Sequence, residues 1–95
     1  MKILTKENKE VSSLDLGILE AGQSKKYEYY LYNEAEVEAV DIKVEIEHKE
    51  VFVLSAPKKL NAGEKQVFSI EWKPTLTIKK GLQTLIRVNA VELYR

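Results

Sequence analysis

The run EAEVEAVDIKVEIEHKE, residues 34–50, decides the fold. Its Glu, Ala and Lys content favours a helix by intrinsic propensity. Its periodicity favours a strand. Val40, Ile42, Val44 and Ile46 are apolar at every second position, and Asp41, Lys43, Glu45 and Glu47 fill the gaps. On a helix those four apolar side chains would scatter around the axis, whereas on a strand they share one face. All four are β-branched, which suits a pleated sheet. The spacing predicts a strand over 37–47 with Val40, Ile42, Val44 and Ile46 buried.

The same alternation recurs on both sides of this run. Leu14, Leu16 and Ile18 predict a strand over 13–19, closed by a turn at Ala21-Gly22. Tyr27, Tyr29 and Leu31 alternate with Glu28, Tyr30 and Tyr32, predicting a strand over 24–32. Residues 51–54 are all apolar and read as a short strand buried on both faces. Residues 55–64 carry Pro57 and Gly63 and read as a loop. Phe68, Ile70 and Trp72 predict a strand over 65–72 that Pro74 ends, because proline cannot donate to a ladder. Lys79-Lys80-Gly81 turns the chain. Thr84, Ile86 and Val88 predict a strand over 82–89, and Asn89-Ala90 a tight turn into a last strand over 91–95. Residues 2–5 read as a short edge strand. Seven to eight short strands with turn signals roughly every 8–12 residues predict an all-β sandwich of antiparallel strands in two sheets.

Length and composition agree. The 95 residues make one domain, 1–95, with 1–11 as an N-terminal arm or edge strand. Apolar residues are 44% and charged residues 32%, an ordinary globular balance. Without cysteine there is no disulfide, thiolate nucleophile or Cys-bound zinc. Fifteen basic and fifteen acidic residues cancel, which disfavours a globally basic nucleic-acid binder. No apolar run is long enough for a transmembrane helix. The opening MKILTKENKE meets charge at once and lacks a signal-peptide apolar region, so a virion or cytoplasmic location is expected rather than signal-directed secretion.

A family pattern runs through these strands. Leu14-Asp15-Leu16-Gly17 with Ala21-Gly22 is similar to the L-x-L-G … x-G opening of immunoglobulin-like modules, and Tyr32-Asn33 to their x-x-N strand end. Pro57, Leu60 and Ala62-Gly63-Glu64 are similar to their P-x-x-L-x-x-G-E loop. Phe68 to Pro74 follows their hydrophobic-x-hydrophobic-x-aromatic-x-P strand. Over about residues 14–88 the chain resembles the prokaryotic and viral Ig-like modules and the Hydin and major-sperm-protein type of Ig-like domain. It departs in two places. No Cys pair flanks a core Trp, unlike antibody domains, and Gly81-Leu82 stands where a Gly-x-Tyr is usual. The resemblance implies an interaction or structural role and brings no catalytic residues.

The residues themselves offer little chemistry. His48, the only histidine, stands beside Lys49 and Glu50 at a strand end and reads as a solvated turn residue. Ser12, Ser13, Ser24, Ser55 and Ser69 lack a nucleophile motif, and four glycines cannot supply a phosphate loop. Glu34, Glu36 and Glu38 would point to one side if extended and could hold calcium. Calcium sites more often use Asp and Asn on tight Gly-bearing loops, so these three read as a solvated edge. No catalytic residue, cofactor or metal is expected.

Two surfaces are candidates for contact with a protein partner. Tyr27 and Tyr29 point opposite to Tyr30 and Tyr32, so one pair joins the core and the other lies on the outer face. The outer pair is either an interface anchor or cross-strand packing on a half-exposed sheet. Lysines form the second surface. Residues 1–50 hold seven Lys against twelve acids (−5), and residues 51–95 hold eight Lys or Arg against three Glu (+5). Lys58, Lys59, Lys65, Lys73, Lys79 and Lys80 fall mostly in predicted loops, where they either meet a complementary partner or guard sheet edges. The expected function is a non-enzymatic structural subunit of an assembly, such as a head-decoration or tail accessory protein of a bacteriophage or archaeal virus. Its partners would be capsid or tail proteins, with no membrane or nucleic acid, and a homo-oligomer is compatible. The alternative is a cytoplasmic Ig-like binding or assembly-factor module that takes a peptide by strand addition. Richness in Lys, Glu, Ile and Val fits a hot environment.

Overall fold

Alternation turns into two antiparallel sheets. The computed structural model describes residues 1–76 and 81–94. Eight strands follow in chain order: β1 (Lys2–Leu4), β2 (Ser13–Gly17), β3 (Lys25–Tyr32), β4 (Glu38–Ile46), β5 (Val51–Ser55), β6 (Lys59–Leu60), β7 (Lys65–Trp72) and β8 (Leu82–Leu93). One sheet has the order β1-β3-β7-β5 and the other β2-β8-β4-β6. Every pairing is antiparallel. Their facing sides make the core: Ile3, Leu31, Val51, Phe68, Ile70 and Trp72 from the first sheet, and Leu14, Leu16, Ala39, Ile42, Leu60, Leu82 and Ile86 from the second. The all-β sandwich is therefore the observed architecture. Trp72 is fully buried, and its Nε1–H meets no acceptor among the described residues.

The deciding run does form a strand, but its buried face is interrupted. Ile42 is buried, yet Ala39 and not Val40 is the next buried residue, while Val44 and Ile46 are half-buried. The β4–β8 register shifts between Val40 and Lys43, and Asp41 sits there with φ of 51°. An extra residue in one strand of a pair is a bulge, and it reverses which side later residues face. Val40 thus pairs with exposed Val91 instead of lining the core. The Ile42 N–H meanwhile donates to the Lys58 carbonyl at 3.2 Å.

Three other expectations are corrected. Ile18 is 59% exposed, because a second bulge ends β2 at Gly17, whose φ is 75°. Val51 alone is buried in β5, and Phe52, Val53 and Leu54 are exposed: the strand ends its sheet, and its register with β7 shifts between Val53 and Ser55. Asn89-Ala90 makes no turn: β8 continues through it and pairs with β4 on both sides of the β4 bulge. The 55–64 loop also contains the two-residue strand β6, paired with Ala39 and Val40.

Asn33 joins the loops at one end of the sandwich. Its side chain is 1% exposed. Nδ2 donates to the carbonyls of Val37 (2.8 Å), Asn61 (3.1 Å) and Leu60 (3.3 Å), and Oδ1 accepts the Ala35 N–H at 3.2 Å. Its own backbone bonds Glu64 and Gly63. In the partner loop Leu60 is fully buried, Gly63 takes φ of 72°, and the Glu64 carboxylate accepts the Asn61 N–H at 2.8 Å.

Glu50 does similar work at the other end. Its carboxylate accepts the Thr75 N–H at 2.9 Å and the Thr75 hydroxyl. The hydroxyl bond is the largest reason that its pKa lies below the ordinary 4.5. A lowered carboxylate pKa stabilises the fold above the unfolded value and loses that stabilisation as pH falls. Thr75→Val is therefore expected to reduce stability at neutral pH and to flatten the loss of stability below about pH 4.5, as read by chemical unfolding at stepped pH.

Candidate protein-docking surface

The β3 register sorts the tyrosines. Tyr27 pairs with Ile70 and Tyr29 with Phe68, whereas Tyr30 pairs with Val67 and Tyr32 with Lys65. Alternation then places Tyr27 and Tyr29 on the core side and Tyr30 and Tyr32 on the outer side. The Tyr27 hydroxyl donates to the Leu16 carbonyl at 2.5 Å and so joins the two sheets. The Tyr29 ring lies 5.9 Å from the Phe68 ring, centroid to centroid. Burial raises the pKa of both phenols, with Asp15 adding to the effect at Tyr27. The Tyr27 hydroxyl stays protonated, as a donor to a carbonyl must. Tyr27→Phe is expected to cost about 1 kcal/mol, the net worth of one such bond, measurable as a shift in the urea midpoint at constant slope.

The outer pair lies in a row built by three strands. Leu4 of β1 pairs with Tyr30, and Tyr30 pairs with Val67 of β7. Lys2, Tyr32 and Lys65 form the adjacent row. The Lys65 Nζ lies 4.6 Å from the Tyr30 ring centroid, and the Lys6 Nζ lies 5.0 Å from it. Cations over an aromatic face are attracted by its quadrupole. Asn8, held at φ of 64°, accepts a bond from the Lys65 Nζ at 2.8 Å and orients that lysine. The result is a half-exposed aromatic centre with an aliphatic residue on either side and a charged fringe, in which Lys6 also pairs with Glu28 at 3.8 Å and Lys2 with Glu34 at 3.0 Å. Sequence reading found Tyr30 and Tyr32 and counted Lys65 among the loop lysines of a separate surface, but missed Leu4, Val67 and Lys6. Only strand register brings those four residues, Lys65 included, to the tyrosines.

The lysine surface is elsewhere. Lys59 lies in β6, in the other sheet, and its ammonium pairs with Glu38 at 2.9 Å. Lys58 is exposed on the connection from β5 to β6. Lys79 and Lys80 lie outside the described residues.

The remaining polar candidates serve local structure. His48 Nδ1 accepts the Glu50 N–H at 3.2 Å, and the His48 N–H donates to Thr84 Oγ1 at 3.1 Å. Bends at 35–37 break the extended geometry that would align Glu34, Glu36 and Glu38. Glu34 instead pairs with Lys2 at 3.0 Å, and Glu38 with Lys59. Among the described residues no group of three or more His, Cys, Asp or Glu is placed to hold a metal ion. No helix among them is long and apolar enough to cross a membrane. Set against known protein families, characterised proteins and solved structures, the chain matches none.

Proposed function

We propose that this chain is a non-enzymatic, Ig-like structural subunit of a larger protein assembly, docking through the outer face of the β1-β3-β7-β5 sheet. The observation that carries the reading is the Leu4–Tyr30–Val67 row with Lys6 and Lys65 over Tyr30. Tyrosine supplies large contact area at small entropic cost, and buried aromatic anchors dominate interface energies. The flanking lysines raise the association rate toward an acidic partner more than they raise affinity. The Ig-like assignment is supported by strand order. β1-β3-β7-β5 has the order of the A-B-E-D sheet of such domains, and β8 beside β4 has that of F beside C in the other, while β6, which follows β5 in the chain, has no counterpart there. Here β2 takes the place beside β8. Within this reading the setting is a virus particle, as a head-decoration or tail accessory protein.

The test begins with the native source. The chain should co-sediment with particles in a density gradient and be removable without disrupting them. Purified Tyr30→Ala/Tyr32→Ala protein should then rebind stripped particles at least about tenfold more weakly than the parent, since central aromatic anchors commonly cost more than ~2 kcal/mol on truncation. Its circular dichroism and unfolding midpoint should stay near those of the parent. Rebinding equal to that of the parent would remove the docking face from consideration. Recovery of the chain in a particle-free cellular complex would favour the cytoplasmic module instead.

A further inference from the structure

We propose that β8 takes up an extended segment of a partner protein along its open edge, residues 86–92, as an added antiparallel strand with apolar residues at alternate positions and an acid opposite Arg87. This goes beyond the docking reading, because β8 and the tyrosines of β3 lie in different sheets.

The starting observation is a strand longer than its neighbour. Strand β8 has 12 residues, and β2 covers only its start. The β2–β8 register ends where Ser13 meets Leu85, whereas β4 accompanies β8 as far as Leu93. The Leu85 carbonyl accepts the Glu47 N–H at 3.0 Å, so the Leu85 backbone groups face β4. Alternation turns the N–H and C=O of Val88, Ala90 and Glu92 to the opposite side. There they have no backbone partner among the described residues. The alternation is regular over this stretch. Leu82, Thr84 and Ile86 are buried, Val88 and Ala90 are half-buried, and Gln83, Leu85, Arg87, Asn89 and Val91 are exposed. The bulge near Asp41 has its extra residue in β4, which leaves β8 unbroken.

These backbone groups call for another backbone, so the occupant is a polypeptide strand. Val88 and Ala90 pack against the core without being fully covered. An added strand covers them with its own inward residues, which are therefore apolar.

Charge narrows the choice. Arg87 projects from the outer face and makes no ion pair among the described residues. Glu92 stands on the inner side near the end of the strand, where its carboxylate accepts the Tyr94 hydroxyl. Edge charges discourage pairing with an arbitrary strand. They admit one that sets an acid opposite Arg87 and a base opposite Glu92. A second β8 does not meet that demand. A two-fold pairing keeps outer residues opposite outer ones and inner opposite inner. The outer set Arg87, Asn89, Val91 and Leu93 contains no acid, and the inner set Ile86, Val88, Ala90 and Glu92 contains no base.

Two synthetic peptides with blocked ends, KTVTVEV and KTVTVKV, test the proposal on the full chain. Aligned antiparallel from Glu92 to Ile86, the first sets its lysine opposite Glu92, its valines opposite Ala90, Val88 and Ile86, and its glutamate opposite Arg87. In the free chain the Val88 and Ala90 amides should exchange with deuterium faster than those of Arg87 and Asn89, which face β4. KTVTVEV should slow exchange at Val88 and Ala90 and bind at least about threefold more tightly than KTVTVKV, because opposite charges across a pair attract and like charges repel. Arg87→Glu should reverse that preference. Ala90→Pro removes an N–H that faces away from β4, so this variant should stay folded by circular dichroism and lose both peptides. Equal protection of the four amides in the free chain would overturn the proposal. So would no binding of KTVTVEV, or a preference between the peptides that Arg87→Glu leaves unchanged. A dimer of the chain alone that Ala90→Pro dissolves would put a second copy on the edge and overturn it as well. All variants keep Tyr30 and Tyr32, so failure here is distinguishable from failure of the docking face.

Discussion

Asn33→Ala is expected to lower stability by about 3 kcal/mol, far beyond the effect of deleting an amide from a surface loop. The side chain is almost fully buried and donates to three carbonyls, those of Val37, Leu60 and Asn61. Alanine removes both donors of the amide, so the Val37 and Leu60 carbonyls lose this partner while the Asn61 carbonyl keeps the Glu64 N–H at 3.0 Å. Each unsatisfied buried group costs roughly 1–3 kcal/mol, less whatever water can recover. Asn33→Asp sharpens the test. A carboxylate there would face three carbonyl oxygens without the protons that now separate them. Burial and repulsion would raise its pKa above the unfolded value of about 3.9. The variant should then be most stable below that value and lose stability as pH rises through the raised folded pKa. That trend is opposite in sign to the one expected for Glu50. A loss below about 1 kcal/mol for Asn33→Ala, the net worth of a single bond, or an Asn33→Asp variant that does not weaken between pH 4 and pH 7, would mean that the amide does not hold the two loops together.

Ile42→Ala is expected to cost roughly 2–5 kcal/mol, and Val40→Ala well under half as much. Strict alternation puts both residues on one buried face, with similar penalties for truncation. The bulge separates them: Ile42 is 7% exposed in the core, while Val40 is half-buried opposite exposed Val91. Removing three methyl-sized groups beneath the sheet leaves a cavity, and the adjoining strand cannot collapse to fill it. Asp41 completes the comparison. Its φ of 51° lies in the left-handed region, where glycine carries no Cβ penalty. Asp41→Gly should be neutral or slightly stabilising, and Asp41→Val should cost more than a surface substitution does, because a β-branched residue tolerates that region poorly. Equal costs at positions 40 and 42 in urea unfolding would show that no bulge interrupts β4.

Much of this molecule was legible without coordinates. The β7 strand runs over 65–72 as its alternation requires, and Phe68, Ile70 and Trp72 are all fully buried. The split of Tyr27 and Tyr29 from Tyr30 and Tyr32 also followed from sequence, because a strand has a side-chain period of two whatever it pairs with. These features are local: they depend on backbone sterics and on the order of apolar and polar residues. The tertiary structure decided the rest. Four consecutive apolar residues at 51–54 are equally consistent with a strand buried on both faces and with an edge, and only the sheet order places β5 at the end. The bulge at Asp41 exists only relative to β8, so alternation in β4 alone points Val40 the wrong way. Asn89-Ala90 looks like a turn locally, yet pairing with β4 carries β8 straight through it. Leu4, Val67, Lys6 and Lys65 gather around Tyr30 from separate parts of the chain. Such contacts depend on register between strands distant in sequence, which is set by the packing of the whole core and has no signature in any one segment.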